Sequence, residues 1–160
     1  CSDGKATIYN VDTDGKQIYY KKGEYGDCEV TFKIRDKNYT KPFLFKDHFK
    51  VYGGDTILNL SGGAYFFQKV QMDGAVTLNV KDGEIARWYI EDTAHSGDGG
   101  YIFAPDSIVN YEDCNNDGNL DDDDMACQKP SKFMYWVSDD AETNDVIQDG
   151  VQMSAFVYNA

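Results

Sequence analysis

The chain has 160 residues, of which 41% are apolar and 14% aromatic, and its 28 acidic and 15 basic side chains leave a net charge of −13. That is the size of one domain, too rich in apolar residues to be disordered. The negative balance disfavours nucleic acid and anionic membranes, which reward Lys and Arg, and no apolar run approaches the roughly 20 residues of a transmembrane helix.

Charge is divided unevenly. Residues 1–90 carry a net +1, whereas residues 91–160 carry −14, with Lys129 and Lys132 as their only basic residues. An acidic surface of this kind repels itself unless cations or a basic partner neutralise it.

The chain opens on Cys1, followed by Cys28, Cys114 and Cys127. An even count without a Cys-x-x-Cys pair suggests disulfides and an extracellular or cell-surface location. Cys114 and Cys127 bracket one acidic loop and are expected to pair, which leaves Cys1 for Cys28. A second reading gives Cys1 a lipid anchor and leaves Cys28 unpaired.

Helical periodicity is nearly absent, and Asp-Gly, a tight-turn signal, occurs seven times. Ala6–Val11 and Gln17–Lys22 flank Asp14-Gly15 and predict an opening hairpin. Cys28 to Arg35 alternates apolar and polar side chains with a period of two, as a half-buried strand does. Strands are predicted next at Phe43–Tyr52, Thr56–Leu60 and Ala64–Met72. Ala75–Val80 and Glu84–Glu91 predict a second hairpin around Asp82-Gly83. Tyr101–Ala104, Lys132–Val137 and Val151–Tyr158 complete the set. Short strands with frequent turns and no crossover helix predict a single all-β domain over residues 1–160, an antiparallel β-sandwich of jelly-roll or Ig-like type without internal repeat.

The most specific motif runs from Asp113 to Asp124, bracketed by Cys114 and Cys127. Oxygen-bearing side chains stand at loop positions 1, 3, 5, 9 and 12, namely Asp113, Asn115, Asp117, Asp121 and Asp124. Gly118 occupies position 6, where the chain must turn sharply, and Asn119 at position 7 can offer its carbonyl. These are hard oxygen donors without His or thiolate, a set suited to Ca²⁺ rather than zinc. The loop resembles the EF-hand type, in the dockerin variety that ends in Asp. No flanking helices are evident, so the expectation is one calcium loop inserted between strands, with a structural rather than a sensing role.

Other candidates carry less. His48 and His95 lack a recognisable catalytic setting, and no nucleophile-elbow, zincin or phosphate-loop motif is present, so no enzymatic activity is expected. Trp88 and Trp136 are possible ligand-binding residues, since exposed aromatic rings can stack on sugars. Within Arg87-Trp88-Tyr89, one of the two aromatic residues must point away from the core. Asn38 and Asn59 head glycosylation triplets. Lys33 to Lys50 holds six basic residues against two acidic ones. The function expected is a calcium-stabilised structural or adhesive protein, secreted or on the cell surface, that assembles with copies of itself through terminal strands or basic-to-acidic contact. The alternative is a calcium-dependent carbohydrate-binding module.

Overall fold

The computed structural model describes residues 1, 3–93, 103–120, 122–138 and 150–159. The strands are β1 (Lys5–Tyr9), β2 (Tyr19–Gly26), β3 (Glu29–Lys33), β4 (Phe43–Tyr52), β5 (Thr56–Leu60) and β6 (Gly63–Met72). They continue as β7 (Val76–Val80), β8 (Ala86–Thr93), β9 (Ile108–Val109), β10 (Phe133–Val137), β11 (Gln152–Met153) and β12 (Phe156–Asn159). Short 3₁₀ turns cover Asp122–Cys127 and Pro130–Lys132. Odd-numbered strands form one six-stranded sheet (sheet I) and even-numbered strands the other (sheet II), each in chain order. The chain alternates between the two sheets, coiling as a β-solenoid of about five turns.

This overturns the antiparallel sandwich. Every strand pair in both sheets is parallel. The expected opening hairpin shrinks to a single antiparallel bridge between Val11 and Gln17, after which β1 and β2 enter different sheets. Asp82-Gly83 likewise makes a turn, but β7 and β8 diverge from it into opposite sheets. The predicted strand Val151–Tyr158 breaks into β11 and β12, one in each sheet. Phe103 and Ala104 are buried without forming a strand. The reason for the error is physical: a strand with one buried face has a period of two whether its neighbour runs parallel or antiparallel.

The core is the space between the sheets, filled by columns of like residues on successive turns. On sheet I, Ala6, Val30, Leu58, Leu78, Val109 and Met153 are register partners. On sheet II the corresponding column is Phe43, Tyr65, Trp88, Tyr135 and Val157. The Trp88 ring meets Phe67 at 4.9 Å and Phe133 at 5.3 Å, the latter edge to face at 88°. Such aromatic pairs add stabilisation beyond burial alone. Successive corners stack as closely as the strands do, and at Gly74 a side chain would fall on the carbonyl of Gly53.

Candidate functional site

Two features stand apart from the repeating coil. The first is the acidic loop between β9 and β10, whose base is clamped. Cys114 is bonded to Cys127, and Cys1 to Cys28. With its sulfur in that bond, Cys1 has no thiol left for a lipid. The Gln128 amide donates to the Glu112 and Asp124 carbonyls at 2.7 and 2.9 Å, and its oxygen accepts the Glu112 N–H at 3.0 Å. Gln152 of β11 donates to the Leu120 carbonyl at 2.6 Å. Buried Lys132 reaches Glu112 at 2.8 Å and Asp82 at 3.2 Å. Burial opposes its charge, but the two carboxylates outweigh it and hold the ammonium pKa above its ordinary value.

Inside the loop the side chains fold back on the backbone. Asp113 Oδ2 accepts the Gly118 N–H at 2.9 Å. Asn115 Oδ1 accepts the Asp117 N–H at 2.9 Å, and Asp117 Oδ1 accepts the Asn119 N–H at 2.8 Å. These bonds turn the tip, with Asn116 and Gly118 at positive φ angles of 59° and 85°. Asp124 is fully buried, and its Oδ1 accepts the Cys114 N–H at 2.7 Å, so the last loop position lies against the second. Asp113 Oδ1 is buried with no hydrogen-bond partner. A buried carboxylate oxygen left unpaired is costly, and a cation is the partner that would relieve it.

Asp113, Asn115, Asp117 and Asn119 therefore share one turn, with Asp124 at its base, while Asp121 lies outside the described residues. Among the described residues no group of three or more His, Cys, Asp or Glu side chains converges on a metal position. Oxygens from Asn and from the backbone fall outside that grouping, and they are donors that calcium accepts.

The second feature is on the outer face of sheet II. Tyr19, Leu44, Phe66, Tyr89, Trp136 and Tyr158 are register partners on successive strands. Phe66 stacks on Tyr89 at 4.7 Å, Tyr89 on Trp136 at 4.8 Å, and Trp136 on Tyr158 at 4.9 Å, with ring planes within 14° of parallel. These spacings match the distance between strands. The inner rings turn their faces to one another. The Lys46 ammonium lies 4.5 Å over the Tyr19 ring at the near end. An open groove of about 700 Å³ runs beside the column, bordered by Lys46, Gln68, Glu91 and Ser138.

Of the two tryptophans, Trp88 is fully buried and Tyr89 is the outward residue; Trp136 joins the exposed column. Sequence reasoning missed this column. Its signal is an apolar or aromatic residue at 19, 44, 66, 89, 136 and 158, steps of about 22 to 25 residues with one double step, the period of one turn of the coil.

The remaining candidates have structural surroundings. His48 Nε2 lies 3.0 Å from Glu24, and this contact, with Lys22 beside it, holds the Glu24 carboxyl below its ordinary range. His95 lies outside the described residues. Asn59 is built into a polar ladder on sheet I, donating to Glu29 at 3.0 Å and accepting from Asn79 at 3.1 Å. Asn38 lies in an exposed turn organised by Asp36. Much of the basic run is spent internally: Arg35 lies over Tyr9, Lys41 donates to the Gly15 carbonyl and Lys50 pairs with Asp73. Among the described residues no helix is long and apolar enough to cross a membrane. Compared with known proteins, the chain matches no family model, no curated protein and no solved structure.

Proposed function

We propose that this is a secreted or cell-surface structural protein whose acidic end is held by a calcium ion in the loop from Asp113 to Asp124. Two disulfides suggest an oxidising, extracellular environment. The observation that carries the reading is Asp113 Oδ1, buried without a partner in a loop whose other side chains already turn it closed. A single loop ending in Asp suits affinities of about 10⁻⁴ to 10⁻³ M, the range of extracellular calcium modules. The ion's work is to neutralise and fix the acidic end. The residues do the rest: the disulfide and Gln128 hold the loop base, and Gln152 ties it to sheet I.

The outer aromatic column favours a structural role over the carbohydrate-binding alternative. The groove beside Trp136 supports that alternative, but the inner rings give their faces to one another rather than to a ligand. Titration calorimetry with calcium chloride tests the proposal, paired with thermal unfolding in calcium and in chelator. Uptake of one ion is expected, with about 2.7 kcal/mol of stabilisation at a calcium concentration a hundredfold above Kd. Asp113→Asn should weaken uptake at least tenfold. A flat calorimetric trace and a melting temperature indifferent to chelator would sink it.

A further inference from the structure

Among the described residues, Asp3, Asp27, Asp106, Asn110 and Asn116 have positive φ angles, as Asp and Asn do more readily than other side chains. Tyr39 shares that conformation at 55° without belonging to either type, and Asn38 stands beside it in the same turn. A bulky side chain is strained there. One carboxylate holds the turn shut. Asp36 Oδ1 accepts the Asn38 N–H at 3.1 Å, and Oδ2 accepts the Thr40 N–H, the Thr40 hydroxyl and the Lys41 N–H at 2.8, 2.6 and 2.9 Å. The Asp36 carbonyl accepts the Tyr39 N–H at 3.0 Å. What this clamp presents is a ring that is 55% exposed. Strain of this kind, kept where burial does not require it, gathers at ligand clamps.

The Tyr39 ring borders an open groove of about 650 Å³ on the outer face of sheet I. Along its floor, Thr31, Asn59 and Asn79 are register partners on β3, β5 and β7, spanning two inter-strand spacings, roughly 10 Å. Lys33, Lys37 and Lys81 stand around it, all three exposed. The one acid among the described lining residues is Glu84, which is engaged by the Lys81 ammonium and the Gly62 N–H. That leaves Lys33 and Lys37 without a carboxylate among the lining residues. The groove is thus locally basic in a chain of net charge −13, and it is built from the first ninety residues, which carry +1.

Each part selects a ligand chemistry. A tyrosine face is electron-rich and attracts the C–H groups of a sugar ring. Amide and hydroxyl groups along the floor are both donors and acceptors, as sugar hydroxyls are. Lysine is a point charge on a flexible stem, suited to a carboxylate or a sulfate without demanding bidentate geometry. We propose that this groove binds an acidic polysaccharide, with one sugar ring against Tyr39 and its carboxylate or sulfate on Lys33 and Lys37. This rests on the extracellular reading above and supplies what a cell-surface structural protein would hold. It differs from the calcium-dependent module weighed there, because neither the ion nor the aromatic column of sheet II takes part.

Titration calorimetry of the full chain with hyaluronate, dextran sulfate, neutral dextran and polyglutamate, each in calcium and in chelator, tests the proposal. Saturable binding of hyaluronate or dextran sulfate is expected in both conditions, and which of them binds identifies the acid group. Dextran lacks the charge and polyglutamate lacks the sugar ring, so each should bind at least tenfold more weakly. The double variant Lys33→Glu, Lys37→Glu changes two exposed side chains and should weaken binding at least tenfold. Tyr39→Asn should do the same while leaving the melting temperature unchanged or raised, because Asn tolerates this φ. Failure of both acidic polysaccharides to bind overturns the proposal, as does polyglutamate binding equally well. So does binding that survives Tyr39→Asn, and so does a melting temperature that falls in that variant, since the ring would then be a structural prop. Calcium uptake without polysaccharide binding refutes the groove alone, and polysaccharide binding without calcium uptake refutes the loop alone.

Discussion

Gly74 sits where two corners of the coil are in contact, and the Gly53 carbonyl occupies the space that a methyl group would need. Gly74→Ala must push one turn away from the next, at a cost of about 1–3 kcal/mol in urea unfolding. Gly54→Ala is the control, because nothing stands within 4 Å of its added carbon. Glu84 makes a different kind of link, joining its carboxylate to the Lys81 ammonium at 2.7 Å and to the Gly62 N–H. Burial opposes its charge, but these partners prevail and hold the carboxyl below its ordinary value of 4.5. The unfolded chain therefore binds this proton first. The stability Glu84 contributes is fully present above pH 4.5 and is lost as pH falls through the lower folded value. Glu84→Gln should flatten the acid limb of a stability–pH curve below about pH 5, and an unchanged limb would contradict this linkage.

At the scale of the element, much of the structure was legible. β4 and β5 have the limits that the alternation of apolar residues predicts. Their pairing was not legible, because one buried face produces the same alternation in a hairpin and in a coil. Asp-Gly misled for a related reason: it reports a tight turn at Asp14 and Asp82, but not whether the departing strand returns beside its predecessor or crosses to the other sheet. Trp88 and Trp136 show the limit of reading residue type without register, since one lies in the core and the other on the surface. Trp136 stacks on both Tyr89 and Tyr158. Trp136→Ala should cost about 1–3 kcal/mol, two aromatic pairs, by chemical unfolding. If the column is structural, wild type and variant should behave alike on a glycan array; glycan binding lost with the ring would favour the sugar-binding alternative.

For the molecule as a whole, the division of charge was visible in the composition, but its meaning depends on topology. In a sandwich, the last seventy residues would be interleaved with the first ninety. In the coil, sequence order along each sheet is spatial order, so the described acidic residues from Asp106 to Asp124 lie beyond β8, toward one end of the strand order. The loop from Asp113 to Asp124 was legible because its spacing is a local property, whereas the aromatic column depends on contacts between residues a full turn apart.

The unequal finish of the two ends has a consequence for how the native state breathes. Each turn leans mainly on its immediate neighbours, so loosening can begin at an end and travel inward one layer at a time. The first layer is laced by Gln17, Tyr20 and a disulfide, whereas β12, the outermost described strand of sheet II, is held to β10 by four residue pairs. Fraying in the isolated molecule should therefore have a direction, peeling from Phe156 backward. Hydrogen exchange should accordingly reach the amides of β12 before those of β2.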